Sequence, residues 1–338
     1  MEIDILRTLA IAGVIVIHVG ALALSVSKGQ TLINYITLDQ FLRFCVPLFV
    51  ALSGYALALR YKDEKINYWE FLTRRALRLI PWYLFWSTVL LAYQKIPPWY
   101  DGLKSVSKVI FMGDADYHLY FVPMIFVLYL LFPILIALYK KFSLKFLALI
   151  FLLEITFYYF LAQLSINFVL SDQQQYILAP TWIFYFVLGI ALCFMGKIPR
   201  YLKAAIVISV PIAFYWTLKN CFDIAKTYDL IIATRFTRIP VLFYTSAFIT
   251  FAIIYAKKLL VLPPKITEVL ANMGKRSYVT YLCHTLILRV VTERIALTSN
   301  FRILTVAVIT IIASDQLARA SIFTVKYVQQ SLNSKRVI

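Results

Sequence analysis

The chain has 338 residues, of which 62% are hydrophobic and 16% aromatic, and its formal net charge is +18. So apolar a composition, recurring in long runs from end to end, excludes an ordinary soluble domain and indicates a polytopic, all-α membrane protein. A nucleic-acid partner is excluded as the reason for the charge, because the cations are dispersed over short loops, with no soluble basic domain and no aromatic RNA-binding motif.

A hydrocarbon core of about 30 Å needs some 20 helical residues to cross it. Runs of that kind fall near 3–24, 41–59, 79–94, 118–139, 146–164, 178–196, 204–219, 235–256, 277–297 and 303–323, which gives about ten transmembrane helices. If the N-terminus is cytoplasmic, the inside loops collect Arg60, Lys62, Lys65, Arg74, Arg75 and Arg78, then Lys140, Lys141 and Lys145, then Lys197, Arg200 and Lys203. Lys257, Lys258, Lys265, Lys275 and Arg276 follow on the same side, as do Lys326, Lys335 and Arg336. This excess of Lys and Arg on alternate loops predicts that both termini face the cytoplasm. With no internal repeat, no low-complexity linker and no tail long enough to be a soluble domain, residues 1–338 are expected to form a single transmembrane domain without a separate soluble domain.

The first run, 3–24, carries Arg7 and His18 in almost entirely apolar surroundings, and no acidic residue follows them within it. Their offset of eleven residues is nearly three helical turns, so both lie on one face about 16 Å apart along the axis. Such groups cost about 2.5–3.5 kcal/mol near the centre of a bilayer and persist where they line a polar cavity or a site. The run has no basic n-region and no Ala-x-Ala-like end, so it is expected to be retained rather than removed as a signal peptide. The four cysteines, Cys45, Cys193, Cys221 and Cys283, form no C-x-x-C pair; they predict small core residues rather than a metal site or a disulfide framework.

Four segments carry a family resemblance. The first is Ile3-Asp4-Ile5-Leu6-Arg7 with His18. The second is Arg43-Phe44-Cys45-Val46-Pro47-Leu48-Phe49 leading into Ser53-Gly54-Tyr55, followed by Phe71 to Pro81 with Arg75 and Arg78. The third is His118-Leu119-Tyr120-Phe121-Val122-Pro123, and the fourth runs from Gly274-Lys275-Arg276-Ser277-Tyr278 to Tyr281-Leu282-Cys283-His284. In order and spacing these resemble the membrane acyltransferase-3 family, with Arg7 and His18 as its Arg-x10-His and Arg75 and Arg78 as its Arg-x-x-Arg; at Tyr120 the family more often has Trp. The resemblance implies an integral-membrane O-acyltransferase of a bacterial-type cytoplasmic (inner) membrane. It further implies acetyl-CoA or another acyl-CoA as co-substrate, no permanently bound cofactor or metal, and a cell-envelope polysaccharide or its lipid-linked precursor as acceptor. Family members with a further extracytoplasmic esterase-like domain use it to finish the transfer, so this chain is expected to act alone or with a separate partner.

Transfer from a thioester to a hydroxyl needs a base, and histidine has the suitable pKa near neutrality. His18 is the expected catalytic base; the competing reading is a packing residue hydrogen-bonded to a neighbouring helix. His118 and His284 either orient the site or make such interhelical bonds. Arginine forks bind phosphate oxygens, so Arg7, Arg75 and Arg78 are the expected donor-binding residues, whereas Arg74 and Arg60 read as positive-inside anchors. Arg43, Arg235 and Arg238 lie on the side where cations are not expected and suit an anionic acceptor; for Arg235 and Arg238 the competing reading is snorkelling to lipid headgroups. Ser53 and Tyr281 support an oxyanion or a hydroxyl proton, or serve as helix contacts. An acyl-enzyme route is left open. The rival class is a secondary transporter or flippase of a lipid-linked sugar or small anion, although repeated halves with interrupted helices are not visible in the sequence.

Overall fold

A computed structural model describes residues 1–24, 28–96, 103–166, 172–297 and 299–335; Arg336 lies outside them. Among the described residues all regular structure is helical: α1 Glu2–Leu24, α2 Gly29–Leu42, α3 Cys45–Arg60, α4 Tyr68–Tyr93, α5 Leu103–Ser107, α6 Phe121–Phe142, α7 Leu144–Ile166, α8 Asp172–Ile177, α9 Ile183–Phe194, α10 Arg200–Ala225, α11 Leu230–Ala233, α12 Ile239–Tyr255, α13 Pro264–Thr292 and α14 Asn300–Lys335. Each of the ten runs expected from sequence is occupied by a helix. Eight helical stretches among the described residues are long and apolar enough to cross a membrane. The run at 178–196 holds only the 12-residue α9, and α13, though 29 residues long, is too polar over its basic first half to count among the eight.

The second span differs from its expected bounds. Helix begins at Gly29 rather than near 41, and a stretch of 32 residues to Arg60 is interrupted only at Arg43 and Phe44. Pro47 explains the interruption: it has no N–H, and its ring clashes with the carbonyl four residues back, which is that of Arg43. Arg43 therefore stands at a break within a helical stretch, not at the end of one.

Contacts divide the chain into two compact units, Met1–Tyr35 with Leu259–Ile338, and Ile36–Lys258. In the first unit α1 packs against α13 and α14, and α13 against α14. The α1–α13 approach is close because of Gly274, where an added Cβ would run into the backbone carbonyl of Asp4. Beside it, the Thr8 hydroxyl is 2.5 Å from the carbonyl oxygen of Leu270, the kind of small-residue and hydroxyl contact by which helices associate in lipid. Overpacking a well-fitted contact costs about 1–3 kcal/mol, so Gly274→Ala is expected to lower the thermal midpoint of the purified protein, and Gly274→Val to lower it further. A Gly274→Val protein as heat-resistant as wild type would mean that the two backbones are not in contact.

In the second unit α3 and α9 make the most intimate pair, with Gly189 set against the carbonyl of Ala51. Around them α6, α7 and α12 enclose a core of fully buried aromatic side chains that includes Phe71, Phe132, Trp182, Tyr185 and Phe186. The start of α9 has backbone N–H groups without intrahelical acceptors; one of them, that of Phe184, donates to Glu154 Oε2 at 2.8 Å. Nearby the Tyr158 hydroxyl donates to the carbonyl of Thr181 at 2.9 Å, and the hydroxyls of Thr245 and Tyr185 are 2.8 Å apart. Cys45, Cys221 and Cys283 are buried, as expected of small core residues, whereas Cys193 is half-buried.

Candidate active site

In the first unit, α1 is an unbroken helix of 23 residues, so Arg7 and His18 do share a face about 16 Å apart along the axis. Arg7 has an acidic partner that precedes it: its Nη1 is 2.9 Å from Asp4 Oδ1, one turn earlier. The half-buried His18 ring is stacked on the ring of His284, with centroids 5.2 Å apart and planes 26° apart. His284 is 0% exposed, and its Nδ1 lies 2.6 Å from the backbone carbonyl of Tyr281. A carbonyl oxygen can only accept, so Nδ1 carries the proton, and in the neutral ring Nε2 keeps the lone pair. The Tyr281 ring lies 5.6 Å from that of His284. Helix packing of α1 on α13 thus joins the first and fourth motifs. Sequence spacing placed them 266 residues apart (284 − 18).

The same unit contains an ion pair the sequence reading overlooked. Arg276 donates through Nε to Asp315 Oδ1 at 3.0 Å and through Nη2 to Asp315 Oδ2 at 2.7 Å, which ties α13 to α14. Asp315 is an acidic residue in the middle of the last apolar run, and the rule that singled out Arg7 and His18 would have found it.

In the second unit the arginines divide by environment. On α4, Arg74 is exposed and pairs with Glu70 on the preceding turn, which fits the anchoring role. Arg75 is half-buried and lies over the faces of Phe71 and Tyr129, 5.4 and 5.9 Å from the ring centroids, and its Nε has no hydrogen-bond partner among the described residues. Arg78, one turn on, is exposed.

Arg43 and Arg238 belong to a buried polar cluster. Arg43, 8% exposed, grips Asp39 through Nε at 3.0 Å and Nη2 at 2.8 and 2.6 Å, and its guanidinium sits 4.4 Å above the Phe236 ring. Gln40 donates to Asp39 at 2.8 Å and accepts from Arg238. Arg238 also donates to Asn220 at 2.9 Å and to the carbonyl of Arg235 at 3.1 Å. Arg238 is therefore a buried network residue and does not snorkel, while Arg235 is half-buried beside it. Sequence reasoning missed Asp39 and Gln40, although an acidic residue four positions before an arginine is a helical pairing signal.

His118 is buried just before α6, with Nδ1 3.9 Å from Asp116 Oδ2. The Ser53 hydroxyl donates to the carbonyl of Phe49 in its own helix at 2.9 Å. Among the described residues no cluster of His, Cys, Asp and Glu is arranged to hold a metal ion.

Comparison with curated proteins and with solved structures returned no match. The acyltransferase 3 family model, described as an acyltransferase domain, matches residues 2–315, nearly the whole chain and all four motifs. On that match the chain belongs to the membrane acyltransferase-3 family and is a multi-pass membrane acyltransferase.

Proposed function

We propose that the protein transfers an acetyl group from cytoplasmic acetyl-CoA to a hydroxyl of a cell-envelope polysaccharide or its lipid-linked precursor, in a bacterial-type inner membrane with both termini inside. The observation that carries this reading is the His18–His284 pair, two imidazoles stacked between α1 and α13. His18 takes the proton of the acceptor hydroxyl as its oxygen attacks the thioester carbonyl. The C–S bond then breaks, and the proton passes from His18 to the departing thiolate, which balances the reaction without an acyl-enzyme. His284, with its tautomer set by the Tyr281 carbonyl, holds the His18 ring in place. Membership of an acyltransferase family favours this over transport.

Arg75 and Arg78 are the proposed donor anchors. Two guanidinium groups at i and i+3 repel one another, and an arriving phosphate relieves that repulsion while accepting bidentate hydrogen bonds. Losing one charge-assisted bond costs about 1.5–3 kcal/mol, so Arg75→Ala is expected to raise the KM for acetyl-CoA about ten- to a hundredfold with little change in kcat. The test of the whole reading uses purified protein in liposomes supplied with acetyl-CoA and envelope glycan. It expects free thiol and ester-linked acetyl in equal amounts, and thiol release without an acetylated glycan, or neither product, would overturn it.

A further inference from the structure

We infer that the groove between α13 and α14 is a binding site for an anionic phospholipid, with the lipid phosphate held between Arg276 and Arg319. The groove has a volume of about 500 Å³ and is lined by both arginines, Asp315, and the apolar side chains of Val269, Met273 and Ile312. It lies wholly within the first unit, and neither His18 nor His284 lines it.

Asp315 organises the cationic end. By accepting from Nε and Nη2 of Arg276, it fixes the plane of that guanidinium and leaves Nη1 without a hydrogen-bond partner among the described residues. Arg319 follows Asp315 by one helical turn on α14, so it lies on the same face. It is exposed and makes no hydrogen bond or ion pair among the described residues. Two guanidinium groups against one carboxylate leave an excess positive charge in a cleft, and the free donor edges suit the oxygens of a phosphate.

The apolar part selects a lipid over a soluble phosphate. From Ile312, the exposed side chains Val308, Leu304 and Phe301 continue along one face of α14, at offsets of four, eight and eleven residues that keep to a single stripe. At about 1.5 Å per residue the stripe runs about 16 Å from the groove, a length of bare apolar surface on which a fatty-acyl chain lies while its headgroup stays at the arginines. A nucleotide or inorganic phosphate gains nothing from that surface.

The test reads thermal stability of the full-length protein in a zwitterionic detergent, so it does not depend on the catalytic reading. Phosphatidylglycerol is expected to raise the unfolding midpoint of wild type in a saturable manner, while phosphatidylcholine, inorganic phosphate and free coenzyme A at equal phosphate concentration are not. Arg319→Gln changes an exposed side chain and should fold normally; its apparent affinity for phosphatidylglycerol should fall about tenfold or more, the usual effect of a lost charge-assisted bond. Equal protection by phosphatidylcholine, equal protection by coenzyme A or phosphate, or an unchanged phosphatidylglycerol affinity in Arg319→Gln would each overturn the assignment.

Discussion

His18→Gln is expected to yield a folded, monodisperse protein that binds acetyl-CoA normally and turns over about 10²- to 10⁴-fold more slowly, the usual contribution of a positioned general base. Glutamine is the informative replacement, because an amide can donate and accept hydrogen bonds but cannot take up a proton at neutral pH. It also fills much of the space beside His284, whose ring lies 5.2 Å away, so α1 and α13 should keep their packing. The measurement is acetyl transfer and thiol release on the same preparation, with donor affinity determined separately by calorimetry. His284→Gln should have a smaller effect, since that ring acts through His18. Near-normal transfer by the His18→Gln protein would remove His18 from the chemistry, and His284 would become the next candidate.

Legibility in the sequence followed the range of the interactions concerned. The helices were visible because their apolar runs are local, and Arg7 with His18 stood out because a polar group in such a run is costly. The same cost attaches to acidic residues, and Asp315 and Glu154 are each buried in an apolar run. Asp315 answers Arg276 from 39 positions away, and Glu154 satisfies a backbone N–H at the start of a different helix, a demand that no periodicity reveals. The break at Arg43 is legible in Pro47 four residues later, but not in the hydropathy of the run from 41 to 59, to which a proline adds little. Gly274 appeared only as part of a motif. Its physical reason, backbone contact with Asp4, needed the packing of two helices from opposite ends of the chain. For Arg238 the sequence leaves open an anionic acceptor or a reach towards lipid headgroups, and in the structure the side chain turns inward, where Gln40, 198 positions earlier, supplies an acceptor.

Asp39→Ala is expected to damage the protein most among the residues outside the catalytic pair. The substitution leaves Arg43 buried with no carboxylate, and removing one member of a buried ion pair costs about 3–5 kcal/mol, a large part of the 5–15 kcal/mol by which folded proteins are ordinarily stable. The loss extends beyond one bond, since Gln40 donates to the same carboxylate and also accepts from Arg238, so a second guanidinium loses its indirect compensation. Asp39→Asn, which keeps the shape and one acceptor oxygen, should fall between. If the cost is that of an uncompensated charge, the double variant Asp39→Ala/Arg43→Met should recover most of the lost stability. The alternative role, in which Arg43 and Arg238 receive an anionic acceptor, predicts the opposite for binding: freeing Arg43 from Asp39 would strengthen acceptor affinity at modest cost to the fold. Thermal midpoints of the three variants, read with the acceptor KM of those that fold, separate the two. A stable Asp39→Ala protein with a lowered acceptor KM would assign the cluster to acceptor binding. Loss of the folded state in Asp39→Ala, restored in the double variant, would assign it to holding the break in the second span against α10 and the segment that leads into α12.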